Sequence, residues 1–254
     1  MQKDNSSPSP IWVIPPVDLD LQSHQVDIWR ADLTLSDNTL ELLVATLSDD
    51  ENQRAARFHF QEDRNRFIAA HGCLRDILAR YLHCEPGKMI FSVGPYGKPG
   101  LSEIPFGSGL EFNLTHSGNY ALVAVTWERK LGVDLECIRP GLSHDELAKR
   151  YFSLDEVSEL MALSSEQREV AFFNCWTRKE AYIKAVGLGL SLPLDSFDVS
   201  LNPNEPAVLR ATRPDAQEVT RWSLLSLEVD SGFASAVAVE GQGLEFRFWD
   251  WKMN

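Results

Sequence analysis

Two periods organise this chain of 254 residues. Alternation every second residue marks strands with one buried face, and apolar positions returning at three and four residues mark helices. Short strands are predicted at 11–17 and 26–33, then an amphipathic helix over 36–47 whose stripe carries Leu40, Leu43, Val44 and Leu47. Ser48 with Glu51 three residues later has the form of a capping box and starts a helix near Asp49. From 54 to 81, Phe67, Ala70, Leu74, Ile77, Leu78 and Tyr81 recur at helical spacing, and Pro86-Gly87 ends that run. Strands follow at 89–93, 111–115, 120–127 and 131–138, with a glycine-bearing loop at 94–100. Helices over 143–151, 154–163 and 166–186 precede a strand-rich end at 197–201, 208–212, 222–229, 233–239 and 244–251.

One stretch has an echo. Ser117-Gly118-Asn119-Tyr120-Ala121-Leu122-Val123-Ala124-Val125 is mirrored by Ser231-Gly232-Phe233-Ala234-Ser235-Ala236-Val237-Ala238-Val239, and each copy follows a long helix and a strand. Two serine-glycine turns before apolar strands arise by chance or by duplication of a half-chain unit.

Composition narrows the class. Hydrophobic residues make up 44% and charged residues 24%, ordinary for a soluble globular protein, and the length allows one large domain or two small ones. Net charge is −13, from 24 Lys plus Arg against 37 Asp plus Glu, which argues against nucleic acid or an anionic membrane as the main partner. The basic exception is the helical segment with Arg54, Arg57, Arg64, Arg66, Arg75 and Arg80. Four scattered cysteines, Cys73, Cys84, Cys137 and Cys175, have neither zinc-site spacing nor disulfide density, so a reducing, cytoplasmic setting is expected. Residues 1–10 read as a polar tail, and no run reaches the ~18 apolar residues of a membrane span.

The chemistry concentrates in two acidic stations, Gly132-Val133-Asp134-Leu135-Glu136 and Trp176-Thr177-Arg178-Lys179-Glu180-Ala181-Tyr182-Ile183-Lys184. On a strand Asp134 and Glu136 share a face, and on a helix Glu180 and Lys184 share another, one turn apart. Convergence of the three carboxylates would make an all-oxygen site suited to Mg²⁺ and phosphate chemistry. Alone, the first pair fits a solvated strand edge, and the second an exposed ion pair contributing about 0.2–0.5 kcal/mol. The second station, however, lies in a helix that is apolar nearly all round (Phe172, Phe173, Trp176, Ala181, Ile183, Val186), where idle charges are costly. Trp176 is assigned to packing.

Taken in order, Gly97-Lys98-Pro99, Phe112-Asn113-Leu114-Thr115-His116-Ser117, the Gly132 to Glu136 station and the block from Trp176 through Lys184, Gly187 and Gly189 to Leu190 resemble the 4′-phosphopantetheinyl transferase superfamily, in its surfactin-synthetase-activating type. The block from Trp176 is the specific part, and the likeness spans roughly 54–194. It implies a monomeric α+β fold of two similar subdomains, 1–128 and 129–254, related by a pseudo-twofold, each a small antiparallel sheet packed with a long helix and with the active site in the cleft between them. It also implies transfer of the phosphopantetheine arm of coenzyme A to a serine of an acyl or peptidyl carrier domain.

The resemblance assigns Asp134, Glu136 and Glu180 to Mg²⁺ (Mn²⁺ as a substitute), Glu180 or a metal-bound water to the base, and Lys184, with Lys179 as a weaker candidate, to the pyrophosphate. His116 and Ser117 fall to the phosphates, Lys98 to the nucleotide end, and Arg54 and Arg66 to the 3′-phosphate. A family lysine just upstream is replaced by Glu51. Because carrier domains are acidic and so is this chain, docking is expected through a small apolar patch with local basic residues around 143–163 rather than through bulk charge. Two other readings stay open: a metal-dependent hydrolase of the same pyrophosphate, and a non-catalytic module binding coenzyme A or carriers.

Overall fold

The computed structural model describes residues 10–102, 109–138, 144–213 and 215–253. In chain order its main elements are β1 (Gln25–Asp32), α1 (Asp37–Val44), α2 (Asp49–Ala55), α3 (Gln61–Leu82), β2 (Phe91–Val93), β3 (Pro99–Leu101), β4 (Leu110–Ser117), β5 (Tyr120–Trp127) and β6 (Leu131–Cys137). They continue with α4 (His144–Tyr151), α5 (Leu154–Ala162), α6 (Ser165–Val186), β7 (Phe197–Val199), β8 (Leu209–Thr212), β9 (Trp222–Ser226), β10 (Phe233–Glu240) and β11 (Glu245–Asp250). Residues 1–9 of the expected tail and Ser143 lie outside the described residues.

Helix starts follow the predicted serines. Ser36 accepts from the Thr39 N–H to cap α1, and Ser48 and Glu51 form the reciprocal box that opens α2. The run predicted as one helix over 54–81 is broken. Phe58 packs on Phe67 with ring centroids 5.4 Å apart. Nine residues are about two and a half helical turns, so a continuous helix would put these rings on opposite faces. α3 ends at His83, in the left-handed region with φ 49°, before Pro86-Gly87 is reached. The predicted strand at 11–17 shrinks to one bridge, Val13 to Trp249. Pro15 and Pro16 have no N–H to give a ladder, and Ile11, Ile14 and Val17 are exposed.

The chain divides into two compact units. The first, Trp12–Gly94, Pro99–Glu128 and Glu245–Asn254, carries a four-stranded sheet in the order β11-β1-β5-β4. β5 runs antiparallel to β1 and β4, whereas β11 lies parallel to β1, with Gln25 opposite Glu245 and Trp29 opposite Trp249. The expected second subdomain of 129–254 therefore loses its last strand to the first unit. The tie is electrostatic as well as apolar. Asp27, fully buried, is gripped by Arg247 of β11 at 2.6 and 2.8 Å and accepts from the Tyr81 hydroxyl at 2.6 Å.

The second unit, chiefly Arg129–Leu244 with Pro95–Lys98, holds an antiparallel sheet in the order β6-β10-β9, with α6 packed across it. Trp176 stacks on Phe172 and meets Tyr151 edge-on, as a packing residue should. The sequence echo falls on the central strands of the two sheets. β5 and β10 share one burial pattern, each is preceded by a glycine with positive φ (Gly118, 55°; Gly232, 82°), and each unit contains a 22-residue helix. All four cysteines are free, and among the described residues no helix is long and apolar enough to cross a membrane.

Candidate active site

Gly132 explains how the two stations meet. A Cβ there would fall inside the van der Waals radii of the Ala181 carbonyl oxygen and the Ala185 amide nitrogen, so the α6 backbone lies directly on β6 at this point. Alternation puts Asp134 and Glu136 on the same, helix-covered face of β6. Their cross-strand neighbours on β10 are Ala236 and Ala234, with Ala238 opposite Gly132, which leaves the acids uncrowded by the sheet. α6 itself ends at Gly187, whose left-handed φ of 79° lets its N–H return to the Ile183 carbonyl.

From α6, Lys184 reaches back to this face. Its Nζ lies 2.6 Å from Asp134 Oδ1 and 3.2 Å from the Val133 carbonyl oxygen. Lys98 Nζ donates to the Leu131 carbonyl at 2.9 Å, so two ammonium groups are tied to the same strand as the acids. Asp134 is 4% exposed, which makes the Lys184 pair a sheltered one. One turn earlier on the helix, the Glu180 carboxyl is held above the ordinary carboxylate range, first by burial and then by the negative charges of Asp134 and Glu136, against the opposing pull of Lys184.

Glu180 thus lies within electrostatic reach of both strand carboxylates. Yet among the described residues no three His, Cys, Asp or Glu side chains are gathered closely enough to hold a metal ion by themselves. What β6 and α6 present is an acidic face of oxygen donors, one of which is paired with lysine. Such a face suits Mg²⁺, which takes few carboxylates and fills its shell with water and substrate phosphate.

Lys179 is placed elsewhere. It is fully buried, donates to the Leu194 and Phe197 carbonyls at 2.7 and 2.6 Å, and pairs with Glu156 at 2.8 Å. Its assignment to the pyrophosphate is corrected, because no surface of it remains to meet a ligand. Glu156 escaped the sequence reading, although Ser153 three residues before it gave the signal of a second capping box, which the structure contains. Arg178, also buried, was missed as well. It donates to the Ser200 carbonyl and to the Ser200 and Ser226 hydroxyls, and burial lowers its pKa to about 10.

In the first unit, His116 and Ser117 end β4 at the turn of the β4–β5 hairpin, His116 exposed and Ser117 half-buried. Arg66 of α3 joins them by donating to the Asn119 side chain of that turn at 2.9 and 3.1 Å, while Glu62 and Asp63 flank the guanidinium. Arg54 is exposed, with its guanidinium 5.3 Å over the Phe67 ring. Glu51 is structural. It closes the α2 box, pairs with fully buried Arg75 at 2.7 Å and meets His71 at 3.1 Å.

Comparison with known proteins settles the kinship. The model of the 4′-phosphopantetheinyl transferase superfamily matches residues 130–238, and that of the 4′-phosphopantetheinyl transferase N-terminal region matches 32–128. The 4′-phosphopantetheinyl transferase HetI of Nostoc sp. is 44% identical over 94% of this chain and 97% of its own length. The chain belongs to the 4′-phosphopantetheinyl transferase superfamily. A second member, the transferase Sfp of Bacillus subtilis, is 32% identical over 81% of this chain and 88% of its own length. Holo-[acyl-carrier-protein] synthase of Helicobacter pylori, solved in complex with coenzyme A, is a remote likeness at 19% identity and a TM-score of 0.33, covering 44% of this chain and 99% of its own. The transferase family model spans the acidic face, Lys184 and the buried Lys179, and the N-terminal model spans Arg54, Arg66, His116 and Ser117.

Proposed function

We propose that this chain transfers the 4′-phosphopantetheine arm of coenzyme A to a serine hydroxyl of apo acyl or peptidyl carrier domains, giving holo carrier and adenosine 3′,5′-bisphosphate. The observation that carries the reading is the face shared by Asp134, Glu136, Glu180 and Lys184, in a chain of this family. Phosphoryl transfer needs positioning and charge neutralisation more than covalent help, and that face offers oxygen donors beside a cation.

Asp134, Glu136 and Glu180 are the residues proposed to hold Mg²⁺, or Mn²⁺ in its place, with water and the diphosphate of coenzyme A completing the set. Bound there, the ion would supply charge neutralisation at the diphosphate. Glu180 is the proposed base. A carboxyl raised above its usual range holds a proton better near neutral pH, which favours acceptance of the serine Oγ proton. Lys184 is proposed to neutralise charge on the departing bisphosphate. Lys98, Arg54, Arg66, His116 and Ser117 are candidates for the phosphates and nucleotide end of coenzyme A.

For the carrier, the α4–α5 segment supports the expected docking surface. Leu154 is 88% exposed, and Lys149 and Arg150 close by on α4 are exposed cations for an acidic partner. We place the enzyme in the cytoplasm, which the free cysteines support, and as a monomer. The test is mass spectrometry of apo carriers incubated with the protein, coenzyme A and Mg²⁺. One added phosphopantetheine per carrier is expected, and unchanged carrier masses across fatty-acid, polyketide and peptide-synthetase carriers would refute it.

A further inference from the structure

Three consecutive side chains of α6, Thr177, Arg178 and Lys179, are polar and buried, and they directly precede Glu180. Each has fixed partners. Thr177 donates to the Phe173 carbonyl, Arg178 binds Ser200 and Ser226, and the Lys179 ammonium sits among two carbonyl oxygens and the Glu156 carboxylate. Glu156 in turn accepts from the backbone N–H of Ser153 and of Val199, each at 2.9 Å. One carboxylate therefore ties α5, α6 and β7 together.

A buried ion pair of this kind is poor evidence for stability, since well-packed apolar residues can replace such pairs without loss. What it does supply is direction. Packing of apolar side chains tolerates small rotations of a helix about its axis, whereas three short hydrogen bonds donated by one ammonium do not. Successive helical side chains are about 100° apart, so pinning Lys179 on one flank sets where Glu180 points, and Lys184 one turn on. We infer that Glu156 and Lys179 are positioning residues for the transfer reaction, fixing the rotation of α6 that presents Glu180 and Lys184 to Asp134 and Glu136. This rests on the function proposed above.

The test is the double variant Glu156→Leu/Lys179→Met, which replaces the pair by apolar side chains of similar size. We expect a folded protein with a lowered melting temperature, because the Ser153 and Val199 N–H groups lose their acceptor, and a KM for coenzyme A within about threefold. The kcat should fall about 10²-fold, as small misplacements of reacting groups do. A Phe197→Leu variant controls for loosened packing near the same pair and should keep most of its kcat. Wild-type kcat in a folded double variant overturns the inference. If the double variant does not fold, Glu156→Gln, which removes the charge at nearly constant volume, must show the same kcat loss at constant KM, and wild-type kcat there overturns it equally. Failure of the functional proposal looks different, because the wild type itself would then transfer nothing. In that case the contact between the Gly132 Hα and the Ala185 amide, followed by nuclear Overhauser effects, reads helix rotation without activity. It should weaken in the double variant, and an unchanged contact overturns the positioning role.

Discussion

The Lys184 ammonium stands 2.6 Å from Asp134 Oδ1, so a carboxylate proposed to hold a divalent ion already has a monovalent partner within its own chain. Lysine and metal would draw on the same carboxylate. Lys184→Met should therefore tighten Mg²⁺ binding measured calorimetrically without coenzyme A, while transfer falls roughly 10²–10³-fold for want of the cation at the leaving group. Weaker Mg²⁺ binding in the variant would show that lysine organises the face rather than competing for it.

Glu180 carries a cost at rest. A carboxyl whose pKa rises on folding loses stability once it ionises, and here burial, Asp134 and Glu136 raise it. Glu180→Gln should thus leave the melting temperature at neutral pH equal or higher, yet lower kcat about 10²–10⁴-fold if this group takes the serine proton. Normal turnover in the glutamine variant would shift the base to another group.

Gly132 allows no side chain. Gly132→Ala drives a methyl into the backbone of α6 at Ala181 and Ala185. We expect destabilisation of about 1–3 kcal/mol, typical of overpacking, together with loss of transfer, because the helix must lift from the strand that holds Asp134 and Glu136. Denaturant melts and the carrier assay on the same sample check this, and a variant of wild-type stability would refute the close approach.

Acid should loosen the first unit through Glu51. Burial alone would raise this carboxyl, but His71, the Ser48 N–H and Arg75 outweigh it and bring the pKa down to about 2. The folded-state value lies below the unfolded one, so the stabilisation is complete above about pH 4.5 and disappears as pH falls towards 2. Glu51→Gln should be less stable than wild type at pH 7 by roughly 2–3 kcal/mol, with the gap closing below pH 3. A gap that stays constant with pH would remove the ionic role.

How much of this was readable from residues alone differs by kind of interaction. The α6 helix showed itself because it is apolar nearly all round, and Gly132-x-Asp134-x-Glu136 because alternation is local. Lys179 misled because a Lys-Glu pair reads the same whether the lysine faces solvent or core. Its partners Glu156, Leu194 and Phe197 come from segments whose proximity no local period encodes. The break at Phe58 was hidden for a related reason, since a contact nine residues away overrides helical spacing. β11 was foreseen as a strand, but an alternating pattern does not say which neighbour it will join.

The placement of β11 sets an order on biosynthesis. As the polypeptide leaves the ribosome, the later unit has every strand described in it by Leu244, while the earlier one still waits for residues 245–250 and leaves the Asp27 carboxylate without Arg247. The half encoded second is thus the first able to finish, and the half encoded first matures only once residues 245–250 have been made.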